Sequence, residues 1–83
     1  MKANYRNAYA ELKKMGCPVI KGGDDGEDTF RISGESNYDE IWADYYAYDF
    51  GVFGVNPEVV SVLEDHGLFA EWINPGVCGV YEI

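Results

Sequence analysis

No lysine or arginine follows Arg31 in this chain of 83 residues. The remaining 52 residues carry 10 carboxylates and no Lys or Arg, a net of -10. Residues 1–31 carry 6 basic and 5 acidic side chains, a net of +1. Such a field repels nucleic acid and anionic membrane, so direct binding to either is not expected. It attracts cationic surfaces and speeds association with them. Solubility alone does not demand this segregation, because ordinary surfaces intersperse both signs.

Other scarcities narrow the chemistry. There is one histidine, His66, and a general base needs a pocket, a partner and a substrate contact. Ser33, Ser36 and Ser61 lack any GxSxG context. The carboxylates are too abundant for an accidental acid–base pair to carry meaning, so no enzyme is expected. Two cysteines, Cys17 and Cys78, lie 61 residues apart with no CxxC or other metal spacing. They read as small buried hydrophobes of a reducing cytoplasm, with a bridge between them left open. No run approaches the roughly 20 apolar residues of a membrane span. Residues 1–6 have no apolar h-region, so no signal peptide is expected.

What is present supports one folded α+β domain. Hydrophobic residues make up 47% of the chain and aromatics 16%, which excludes a disordered acidic tail. A domain of this length has a stability of about 4–12 kcal/mol. Tyr5, Ala8, Tyr9, Leu12 and Met15 recur at helical spacing and predict a helix over 4–15, ended by Gly16 and Pro18. Residues 17–21 and 29–33 predict a hairpin, with Phe30 and Ile32 on one side and Thr29 and Arg31 on the other. Its loop, 22–28, holds Asp24, Asp25, Glu27 and Asp28 but lacks the EF-hand pattern, so it reads as a solvated tip without a resident metal. The aromatics of 41–48 favour a third strand. Asn56, Pro57 and Glu58 start a second helix that Gly67 ends. Residues 68–73 and 77–83 predict a second hairpin around Asn74-Pro75-Gly76, with Phe69, Trp72, Val77, Val80 and Tyr81 as core candidates. The expected order is α-β-β-β-α-β-β, with both helices on one face of an antiparallel sheet of four to five strands.

The acidic, aromatic stretch 38–50 is the most distinctive. On a strand, Glu40 and Asp44 would share a face about 13 Å apart; on a helix they would be neighbours one turn apart. Either arrangement presents a row of carboxylates. Glu35, Asp39, Asp49, Glu58, Glu64, Asp65 and Glu71 extend the field. Trp42 and Tyr46 are expected in the core. Tyr38, Tyr45, Tyr48 and, in its alternative exposed placement, Tyr46 add contact area of the kind enriched at interfaces. The expected partner-binding set is Glu35, Tyr38, Asp39, Glu40, Asp44, Tyr45, Tyr48, Asp49, Glu64 and Asp65, with no catalytic, cofactor or metal residues.

In length, charge and α+β character the chain resembles the small acidic anti-defence proteins of phages and mobile elements, anti-CRISPR and other DNA-mimic inhibitors among them. No motif carries the resemblance. It implies a cytoplasmic inhibitor, a monomer or homodimer, that occupies a basic nucleic-acid-binding site, most readily on a CRISPR-Cas effector. The competing expectation is a structural or accessory phage protein that self-associates through its aromatic strand.

Overall fold

The computed structural model describes residues 1–23, 28–34, 42–46, 51 and 53–83. Two helices and four strands follow in the order α-β-β-α-β-β: α1 (Ala3–Met15), β1 (Val19–Lys21), β2 (Phe30–Ser33), α2 (Pro57–Asp65), β3 (Leu68–Asn74) and β4 (Val77–Glu82). The sheet is antiparallel throughout, in spatial order β1-β2-β4-β3.

Local chemistry sets the element ends. Gly16 closes α1 with φ 95°, and its N–H and that of Cys17 return to carbonyls of the last turn. Asn56 caps α2 by accepting the Glu58 N–H at 2.9 Å, and Pro57 fills the first turn. The β3–β4 loop is Pro75-Gly76, held by Asn74 Oδ1 accepting the Gly76 N–H at 2.8 Å. Between Trp72 and Asn74 the register slips by one residue, since Trp72 faces Cys78 while Asn74 faces Val77. Ile73 is thus an inserted residue, a bulge at the end of β3.

Alternation along the strands defines two faces. Phe30, Ile32, Leu68, Cys78 and Val80 point inward and are buried. Tyr5, Ala8 and Leu12 of α1 and Val59, Val62 and Leu63 of α2 meet them in one core. Both helices therefore cover the same face, as the layer argument predicts. Tyr9 packs edge-on against Phe30, with ring centroids 5.4 Å apart. On the other face Phe69 and Tyr81 sit side by side at 5.7 Å.

Several sequence expectations need correction. The predicted strand over 41–48 does not form in its described part, 42–46. Ala43 makes a single bridge to Val55, flanked by the Asn56 N–H to Trp42 oxygen bond (2.9 Å) and the Asp44 N–H to Gly54 oxygen bond (2.8 Å). The chain then turns, because Asp44 Oδ1 captures the Tyr46 N–H at 3.0 Å, a local bond that competes with a sheet ladder. Trp42 is buried as expected, but Tyr46 is 83% exposed on that turn rather than in the core. Phe69 is also no core residue: it falls on the uncovered face with 38% exposure. Val77 and Tyr81 are half-buried.

Cys17 and Cys78 are buried free thiols. Among the described residues no helix is long and apolar enough to cross a membrane.

Candidate functional site: an aromatic groove along the β3 edge

A cleft of about 630 Å³ runs beside β3. Val60, Leu63 and Glu64 of α2 form one wall, Phe69 to Trp72 of β3 another, and Tyr45, Phe53 and Val55 close it. Its described lining is predominantly apolar. Its charged members are Glu64 and Glu71, both exposed, and no cation joins them among the described residues.

The groove's aromatic side is built around Trp72. Its Nε1–H donates to the Phe53 carbonyl at 2.7 Å, and Tyr45 meets its ring edge-on at 5.5 Å. Tyr46 stacks edge-on against Tyr45 at 5.5 Å. Phe53 holds φ 52°, a conformation uncommon for a bulky side chain. The Trp72 bond anchors that backbone, and the Phe53 ring is left 60% exposed. Backbone strain of this kind costs about 1–3 kcal/mol and persists only where surrounding structure enforces it.

Gly34 sets the depth of the Trp72 ring. A Cβ on Gly34 would lie 2.8 and 2.9 Å from two indole carbons. Gly34→Ala should therefore displace the indole, break its bond to Phe53 and collapse the groove. Overpacking costs about 1–3 kcal/mol, less than the fold's total. The expected result is a folded protein with altered tryptophan fluorescence; an unchanged Trp72 indole N–H resonance would contradict it.

Charge is segregated across the sheet. β1 and β3 are its opposite edges. Arg6 of α1 and Lys21 of β1 line a second cleft on the β1 side, and Lys13 and Lys14 end α1. On the other side Glu58, Glu64 and Asp65 of α2 and Glu71 of β3 are exposed, with no cationic partner among the described residues. Two acids elsewhere are paired, while Asp28 of the first hairpin is exposed without an ion pair among the described residues. Glu82 accepts from Lys2 at 2.8 Å, which holds its carboxyl below and the Lys2 ammonium above the ordinary range. Glu11 meets His66 Nε2 at 3.0 Å, tying α1 to the end of α2.

Of the sequence-predicted site residues, Tyr45 and Glu64 meet in this groove. Asp65 is exposed at the end of α2, next to Glu64. Asp44 is half-buried and spends one oxygen on its turn. Glu35, Tyr38, Asp39, Glu40, Tyr48 and Asp49 lie outside the described residues, as do Asp24, Asp25 and Glu27 of the first hairpin loop. Sequence reasoning missed Phe53, Val60, Phe69, Trp72 and Ile83 as lining residues. The signal for Phe53 was its place in Gly51-Val52-Phe53-Gly54, an aromatic between glycines, where core packing is hard to arrange.

Fold and groove together define an α+β domain with an acid-rimmed apolar cleft along a sheet edge that no described strand covers. Comparison with known protein families, curated proteins and solved structures returns no match.

Proposed function

We propose that this protein is a non-catalytic inhibitor that docks on the basic surface of a nucleic-acid-binding protein. The observation that carries this reading is the acidic, aromatic character of the groove: Glu64 and Glu71, which have no cationic partner among the described residues, line it beside the exposed rings of Tyr45, Phe53 and Phe69. Acids arranged this way compete with phosphates for Lys and Arg, while Tyr45, Phe53 and Trp72 supply the apolar area typical of interface centres. The particular target we propose is a CRISPR-Cas effector in the bacterial cytoplasm. That choice follows the resemblance in size, charge and construction to phage anti-defence inhibitors.

The test is a mobility shift of purified effector complexes on their target duplex. Added protein should release the duplex, excess DNA should reverse the effect, and inhibition should fall at least ten-fold between 50 and 200 mM salt, on the order expected when several phosphate contacts are replaced. Inhibition indifferent to salt and DNA would refute mimicry. Absence of inhibition across effector types would refute the target.

A further inference from the structure

β3 is an edge strand, and its hydrogen-bonding pattern shows which groups it offers. The Ile83 N–H donates to the Gly67 carbonyl at 3.0 Å. With Leu68 facing Glu82 in the same register, the bonded pairs with β4 are Gly67 with Ile83, Phe69 with Tyr81, and Glu71 with Gly79. Leu68, Ala70 and Trp72 therefore turn their N–H and C=O groups away from β4, along the groove. Among the described residues no backbone group pairs with them.

We infer that this edge receives an extended segment of a protein partner, added as a fifth antiparallel or parallel strand, with apolar and basic residues alternating. The inference rests on the proposed capture of a basic protein and specifies how that capture is made. Three features of the groove select this occupant. The open edge from Leu68 to Trp72 spans about 13 Å, the length of five strand residues. Residues of the added strand that face the helices would fall against Val60, Leu63, Tyr45 and Phe53, which calls for apolar side chains. Those on the opposite face would lie beside Glu71, where an opposite charge is the favourable cross-strand neighbour. Glu64, on the α2 wall, adds a second carboxylate at the rim. A second copy of this chain is disfavoured as occupant: the net charge is -9 and the groove's charged lining residues are both glutamates. Main-chain bonds supply affinity in such strand addition, and the side-chain alternation supplies selectivity.

The probe is a fluorescein-labelled heptapeptide of alternating Val and Lys, titrated into the full chain by anisotropy. Binding should be lost at least ten-fold in a Val/Glu analogue and in a block-ordered peptide of the same composition. N-methylation of one alternate set of peptide amides should abolish binding, while methylation of the other set is tolerated. Amide resonances of Leu68, Ala70 and Trp72 should shift more than those of Phe69 and Glu71. Glu71→Lys, on an exposed position, should weaken binding at least five-fold with an unchanged far-ultraviolet spectrum. Equal binding of block-ordered or doubly methylated peptides would overturn strand addition in favour of diffuse charge attraction. A concentration-dependent dimer that shifts the same three amides would overturn it in favour of self-pairing. Should the peptide fail while the protein still releases duplex from an effector, strand addition falls and the acidic-surface reading stands.

Discussion

Phe30→Ala should unfold the protein at or near physiological temperature. Among the described residues Phe30 is the largest fully buried side chain; it lies on the inward face, in contact with Tyr9 of α1. It lies on β2, one of the two central strands, so no edge can relax to fill the gap. Removing a buried phenyl ring costs about 3–5 kcal/mol, the transfer of the ring plus the cavity left behind. The whole domain has about 4–12 kcal/mol to lose. For a domain of this size each kcal/mol shifts the midpoint by about 4–8 °C, so the loss should exceed about 12 °C. Phe30→Leu removes less of the side chain, leaves a smaller gap and should cost clearly less than Phe30→Ala. Calorimetry on the pair decides the matter: a Phe30→Ala midpoint within a few degrees of the parent would mean that the core is not where it is described.

Alkaline pH should destabilise the fold through its two cysteines. Burial pushes the Cys17 thiol from an ordinary 9.0 up to about 12. Cys78 rises to about 12 as well, by burial first and by the neighbouring Cys17 second. The folded protein thus keeps both protons where the unfolded chain releases them. Between about pH 9 and pH 12 the unfolded state binds fewer protons, so each rise in pH favours it. Stability is fully present below pH 9 and falls by at most about 1.4 kcal/mol per pH unit for each thiol above it. Urea midpoints at pH 8, 9 and 10 measure this slope, and Cys17→Ala with Cys78→Ala should flatten it. At pH 8 the native thiols should also react with a disulfide reagent about three orders of magnitude more slowly than in urea, from thiolate fraction alone. A double variant with the parent's alkaline slope would assign the effect elsewhere.

How much of this could be read from residues depended on whether the chemistry was local. Asn56-Pro57-Glu58 carries its own cap, and the α2 start is where it was expected. The same holds for Asn74-Pro75-Gly76, whose turn bond lies within three residues. Residues 42–46 misled because the strand preference of tyrosine and tryptophan reflects packing on a sheet rather than backbone preference. There the short side chain of Asp44 decided the path by taking the Tyr46 N–H. Phe69 misled for a related reason. Leu68, Phe69 and Ala70 are all apolar, so alternation alone could not say which parity faced the helices. The groove was legible only in fragments. Tyr45 and Glu64 stood out as exposed aromatic and acid, yet Phe53, Val60 and Trp72 join them through a topology that sequence spacing does not encode.

The slip at Ile73 gives the open edge a natural terminus. A flat, long, unpaired strand is a template on which chains can stack without limit. Here the register shifts between Trp72 and Asn74, five residues into the strand, and a bulge of this kind interrupts the ladder and increases local twist. On the proposed strand addition, a short segment would complete the sheet up to that point, whereas a ribbon of repeated copies would lose its alignment there.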